Sequence, residues 1–282
     1  MLIPIGTDAP IYHLPVMTVG LIALNTALFF LVGHPQEWML SIGNGWHPLQ
    51  WVTSAFLHAN IYHLIGNMFF LWAYGLVVEG KIGSWRYLLT YLVMAVSGSF
   101  AAQTLFGFGG SDGQIRYALG ASGAISGLMA IALLWAPENT FTVVAAYKYG
   151  PFASASDHEL GILDFSLWFI GWDLFIAVLN RFPLSTPVLH LLGVIVGFAV
   201  GVTFLQFRWV DCEKYDLFTR WSGTSGRPLQ QLASIWKTTT RKRKKSSVKN
   251  RQPRYKVVLL NEADREVEPS RKPKPRQTAD AP

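Results

Sequence analysis

Apolar and polar positions along this chain alternate on a long scale, in apolar blocks separated by Gly, Pro and charge. A helix needs ~20 mostly apolar residues to cross roughly 30 Å of hydrocarbon. Six blocks meet that requirement, at about 15–33, 61–78, 86–106, 119–136, 160–180 and 187–207. The fourth stops at Pro137, which cannot continue a helix. The fifth is interrupted by Asp164 and Asp173. The pattern predicts an all-α polytopic membrane protein of six transmembrane helices. The first block has no basic segment before it and is long enough to span, so it reads as a retained helix rather than a cleaved signal.

Two connections are long. Residues 34–60 carry Trp38, Trp46 and Trp51, which suits a loop resting at the membrane interface, where aromatic side chains are favoured. The connection after Pro137 contains a β-prone run, Thr140 to Ala146, compatible with a short hairpin strand. From Arg208 onward the chain becomes polar. The predicted organisation is a membrane domain over 1–210, followed by a basic, disordered tail over 211–282.

Composition agrees, because 51% of the 282 residues are hydrophobic and only 15% are charged, against roughly 25% in a soluble domain. Charge then fixes the orientation. Residues 1–207 sum to −4 and residues 208–282 to +11. Lys and Arg accumulate on the cytoplasmic side. With both termini inside, twenty-two basic residues lie inside, and only Arg116 and Arg181 lie outside. The expectation is a multi-pass protein of a bacterial plasma membrane with cytoplasmic termini.

The unbroken block Arg241, Lys242, Arg243, Lys244 and Lys245 suits anionic lipid, at about 1 kcal/mol per residue near the surface. A plain solvated tail that anchors topology is the other reading of the same run. Nucleic acid is not an expected partner, since neither aromatic interleaving nor a known module accompanies the charge. A single cysteine, Cys212, excludes an internal disulfide framework, and no Cys/His cluster has metal-ligand spacing. No metal or other cofactor is expected.

Polar groups inside a bilayer are costly, so each is a functional candidate. His63 and Asn67 are four residues apart and share one face of span two. Ser122 begins span four, and His190 lies near the start of span six. The topology puts all four at similar depth below the outer surface. A neutral imidazole can accept a serine proton, and the amide of Asn67, a ring N–H of His63 and the backbone N–H of Ser122 are candidate donors to an oxyanion.

Taken singly, such residues are equally well explained as helix packing or interhelical polar bonds. Their joint placement favours chemistry. Gly123 and Gly127 follow Ser122, and Gly193, Gly197 and Gly201 follow His190. Two smooth faces of this kind would let spans four and six approach and bring serine to histidine. The soluble-hydrolase elbow G-x-S-x-G is absent, because Ala124 stands where its last glycine would be. Asp173 has no spacing that ties it to His190, so the expectation is a Ser–His dyad with Asp173 in a structural role.

At this point the residues resemble the rhomboid intramembrane serine proteases, over about residues 45–207. "GASGAISG" (120–127) resembles the family's G-x-S-G nucleophile motif, "FLHANIYHLIGNMFFLW" (56–72) its second helix, and "HLLGVIVG" (190–197) its H-x-x-G-x-x-x-G. "VEGKIG" (78–83) is similar to a further family segment. The resemblance implies a six-helix rhomboid-like bundle that cleaves membrane-anchored, single-span or other membrane-protein substrates in or near their transmembrane segments. Ser122 would be nucleophile and His190 general base, with His63 and Asn67 on the oxyanion side. His58, Gly120, Gly123, Ser126, Gly193 and Gly197 would shape the site.

Two positions depart from the family pattern. Some members carry an aromatic residue at the place of Ser126, packed on the catalytic histidine, and Ser126 cannot stack. Some carry Trp-Arg where Leu49-Gln50 stands here. The alternatives are a non-proteolytic rhomboid-like protein that escorts transmembrane clients, and a transporter. Retention of both serine and histidine speaks against the first. The clustering of polar groups near one face speaks against a transporter.

Overall fold

Six apolar helices carry the fold in the computed structural model, which describes residues 2–107, 114–149, 152–213 and 215–223. They are α1 (Val16–Leu31), α3 (Ile61–Ile82), α4 (Ser84–Phe106), α5 (Ser122–Trp135), α6 (Ile162–Leu179) and α7 (Thr186–Gln206). These fall on the six predicted blocks. Among the described residues, α3, α4, α6 and α7 are long and apolar enough to cross a membrane, and α1 and α5 are shorter apolar helices. The described residues also hold two short α-helices, α2 (Gln50–Thr53) before α3 and α8 (Leu217–Trp221) after α7. The basic run 241–245 lies outside the described residues.

The 14 residues of α5 rise only about 21 Å. Neighbours surround it, with α3, α4, α6 and α7 all in contact. Every residue from Ala124 to Trp135 is buried. α5 is thus the shortest of the six apolar helices and lies among the others.

Local chemistry sets the ends of the helices. Asn60 caps α3, its Oδ1 accepting the backbone N–H of His63 at 2.9 Å, as a side-chain oxygen at that position commonly does. Gly83 ends α3 at φ +78° and leads at once into α4. The start of α1 has no cap of its own. Glu79 of α3 supplies one, its carboxylate accepting Met17 N–H at 2.8 Å and Thr18 N–H at 2.7 Å, together with the Thr18 hydroxyl at 2.7 Å. The Ser84 hydroxyl is a fourth donor at 2.5 Å, and a fully buried carboxylate is tolerable here because four donors and the positive end of a helix meet it.

Two antiparallel sheets join the helices outside their apolar stretches. β1 (Leu2–Thr7), β4 (Thr140–Tyr149) and β5 (Phe152–Gly161) form a sheet of order β1-β4-β5. Leu2 pairs with Ala145 and Thr7 with Phe141, with a register shift between Pro4 and Gly6. The β4–β5 hairpin links α5 to α6. The strand expected at Thr140–Ala146 is therefore present and longer, and its partner β1 was not anticipated. β2 (Leu40–Ile42) pairs with β3 (Arg116–Ala118) just before α5.

The Trp-bearing segment 34–60 is pinned to α4 by Gln103, which is fully buried. Its Oε1 accepts from Trp51 Nε1 at 2.5 Å and from His47 N–H at 3.0 Å, and its Nε2 donates to the Ser41 carbonyl at 2.7 Å. The main apolar core runs through α3, α4 and α5 and takes in Val210 and Cys212, so packing continues beyond α7.

Candidate active site

The closest helix pair is α5 with α7, and glycine makes it so. A Cβ at Gly193 would overlap the carbonyl of Gly123, and one at Gly197 would lie 2.5 Å from the Gly127 Cα. Gly127 is pressed from the other side by Met94 of α4, whose Sδ would stand 2.5 Å from an added Cβ. Lower down, Trp135 Nε1 donates to the Gly201 carbonyl at 3.1 Å. The small-residue faces seen in the sequence thus meet backbone to backbone, as in other close membrane crossings. Leu189, the residue before His190, has its carbonyl 3.9 Å from where a Gly123 Cβ would be. The first turn of α5 and the His190 turn of α7 are neighbours.

Ser122 is the first residue of α5. Its N–H and those just after it have no partner within the helix, and they sit at the positive end of the helix dipole. Gly120 stands two residues earlier at φ +123°, a left-handed conformation that glycine alone adopts freely. There, a Cβ would lie 2.7 Å from Cε1 and 2.9 Å from Nε2 of His63, and 3.9 Å from Nδ2 of Asn67. The absence of a side chain at 120 lets the imidazole and the amide crowd against the approach to Ser122.

Both groups are positioned by α3. Asn67 Nδ2 donates to the His63 carbonyl at 2.9 Å, leaving its second amide proton available. His63 Nδ1 accepts a long bond from Ala59 N–H at 3.4 Å, which leaves the ring proton on Nε2, the nitrogen nearer Gly120. His58 is fully buried with its ring edge-on to that of His63, centroids 5.2 Å apart. Burial, aided by the nearby His63, lowers the pKa of His58 to about 4, so it is neutral at physiological pH. Ser122 and His63 line one cleft of about 330 Å³, together with Arg116, Leu119, Leu184 and Leu189.

His190 meets a partner that sequence spacing did not reveal. Its Nδ1 lies 2.9 Å from Oδ2 of Asp173 on α6. Its Nε2 is buried and makes no hydrogen bond among the described residues, so a bond from Ser122 Oγ is not formed in this structure. Such bonds are commonly loose before substrate arrives. Ser126 donates its hydroxyl to the Ser122 carbonyl at 2.8 Å and stays within its own helix. The structure therefore assembles Ser122, His63, Asn67, His58 and Gly120 at the N-terminal ends of α3 and α5. It sets the His190 turn beside them and adds Asp173. No group of metal-ligating residues occurs among the described residues.

A polytopic helical membrane protein with a serine, two imidazoles and an amide gathered below one surface is a narrow class. The chain matches the Rhomboid domain family model over residues 45–207, more than half its length, and it belongs to the rhomboid family.

Among curated proteins it is similar to Rhomboid protease GluP of Bacillus subtilis (strain 168), with 31% identity over 150 residues, 47% of this chain and 27% of the relative. It is also similar to Rhomboid-like protein 11, chloroplastic, of Arabidopsis thaliana, with 36% identity over 85 residues, 30% of this chain and 28% of the relative. Presenilin-associated rhomboid-like protein A, mitochondrial, of Danio rerio shares 26% identity over 163 residues, 55% of this chain and 42% of the relative. The chain thus spans between about a quarter and two-fifths of the length of these relatives.

Proposed function

We propose that this chain is an intramembrane serine endopeptidase that hydrolyses peptide bonds in or near the transmembrane segments of membrane-anchored proteins. The observation that carries this reading is the meeting of three helices at Ser122. The serine opens α5, Gly123 and Gly193 press α5 against the His190 turn of α7, and His63 and Asn67 of α3 close on Gly120.

In this reading Ser122 Oγ attacks the scissile carbonyl while His190 Nε2 takes its proton. His190 then returns that proton to the leaving amine as the C–N bond breaks. A water molecule, activated by the same nitrogen, hydrolyses the acyl-enzyme. The oxyanion is held by the Ser122 N–H, His63 Nε2–H and the free amide proton of Asn67, donors in place before charge develops. The apolar walls of the bundle keep bulk water away from the intermediate. In this reading the membrane domain spans 1–210, the site lies toward the outer face and both termini are in the cytoplasm of a bacterium. The basic run 241–245 is then the part of the chain that binds anionic lipid.

The test is cleavage of a single-span reporter protein in liposomes by the full-length chain. Ser122→Ala and His190→Ala are each expected to abolish cleavage with expression and thermal stability retained. A serine-directed fluorophosphonate is expected to label the wild type and not Ser122→Ala. Undiminished cleavage by either variant overturns the assignment and leaves the client-escorting reading standing.

A further inference from the structure

We infer that Asp173 is a positioning residue for His190, making the site a three-membered Ser122–His190–Asp173 relay rather than a dyad. The inference rests on the protease reading above and goes beyond it. Asp173 Oδ2 lies 2.9 Å from His190 Nδ1, with the aspartate and histidine side chains only 19% and 22% exposed. A carboxylate accepts and cannot donate, so this bond fixes the ring proton on Nδ1 and leaves the lone pair on Nε2. That nitrogen is the buried, unpartnered one, the atom that must receive the Ser122 proton.

The other groups around His190 do not compete for the task. Ser126 spends its hydroxyl on the Ser122 carbonyl and offers no ring to stack on the imidazole. Of the elements packed on α7, which are α4, α5 and α6, α5 carries no ionisable side chain. The ionisable groups of α4 (Arg86, Tyr87 and Tyr91) all lie in its first eight residues, at the end far from His190. α6 contributes Asp173 near His190 and Asp164 in its own first turn, at the opposite end. Beyond these, His63 of α3 lines the same cleft as Leu189, the residue before His190. Asp173 is therefore the group placed to offset the imidazolium that forms when the proton moves from Ser122 Oγ to Nε2. The proton stays on His190 until the leaving amine takes it, and the carboxylate stays ionised throughout, as in the soluble serine proteases.

The experiment compares wild type, Asp173→Asn, Asp173→Glu, Ser122→Ala and His190→Ala, full length and in liposomes, with kcat and KM measured across pH. Asp173→Asn keeps the shape and loses the charge. Its kcat is expected to fall by at least ~10²-fold with KM little changed, and the acid limb of its rate profile to move to lower pH, because the imidazolium has lost its stabiliser. Asp173→Glu is expected to recover part of the rate and the wild-type acid limb, which keeps the test open if the asparagine variant is unstable. A full rate in Asp173→Asn, or a loss of rate with an unmoved acid limb in both variants, overturns the relay. Retained cleavage in Ser122→Ala or His190→Ala overturns instead the protease reading on which it stands, so the two failures are distinguishable.

Discussion

α5 and α6 are adjacent apolar helices that follow opposite rules. In α5 all but the first two residues are buried, whereas only Ile162, Ser166 and Ala177 of α6 are. In its first half α5 meets α7 through Gly123 and Gly127, backbone on backbone, and further along Ile131, Leu134 and Trp135 close on Gly201. α6 carries large side chains outward, with Leu167, Trp168, Trp172, Leu174 and Phe175 all exposed. Its inner half is fastened by Phe165 and Phe169 against Phe70 of α3, with ring centroids 5.9 and 4.9 Å apart, and by a Tyr74–Ser166 hydroxyl pair at 3.0 Å. Its C-terminal half reaches α7 through the Asp173–His190 bond. Ser122, the proposed nucleophile, thus sits on a helix with little room to shift, beside one whose aromatic fastening lies in its N-terminal half.

That contrast can be attacked from the rigid side first. Gly197→Val would drive a branched side chain into the Gly127 backbone, and the expected result is the largest of all: a stability loss of about 3 kcal/mol or more, read as a lower unfolding temperature in detergent, with cleavage gone. Gly120→Ala comes next. An added methyl must displace the His63 ring and hold a strained φ, so turnover is expected to fall by ~10²-fold, the usual cost of one oxyanion donor, with substrate binding retained. If Gly120→Ala turns over at the wild-type rate, His63 does not serve the oxyanion from that side.

Acid should separate the regions by charge. α5 has nothing to titrate, while His58, buried beneath α3, must take a proton. A histidine neutral in the fold down to about pH 4 and ordinary when unfolded binds protons earlier in the unfolded state. Stability is therefore complete above the free-histidine range near pH 6.5, falls as pH drops from there toward 4, and flattens below it. Thermal unfolding across that window should show the slope in the wild type and lose much of it in His58→Gln. The smallest effect belongs to the loose side. Leu174→Ala on the exposed face of α6 is expected to shift stability by only about 0.5 kcal/mol, and a loss comparable to that of Gly197→Val would erase the distinction between the helices.

The sequence anticipated the rigid side better than the loose one. Gly123, Gly127, Gly193 and Gly197 recur at helical spacing, so a shared face could be read directly, and hydropathy marked each apolar helix because lipid imposes a length. Asp173 was visible as a costly charge in an apolar block, yet its partner was not. The facing turn of α7 is set by the connection through Arg181 and Phe182, which take φ of +61° and +55°. Neither residue type announces that conformation. β1 was missed for a related reason. Pro4 and Gly6 blur its alternation, and its pairing partner is remote in sequence.

That remoteness also orders events in time. Leu2 of β1 pairs with Ala145 of β4, so β1 waits unmatched while α1, α3, α4 and α5, which lie between the two strands in sequence, are made and inserted. Contacts of such long sequence separation form late. The sheet therefore works as a clasp fastened after the bundle is threaded, and β1, made before the helices it closes over, is among the last elements to find its place.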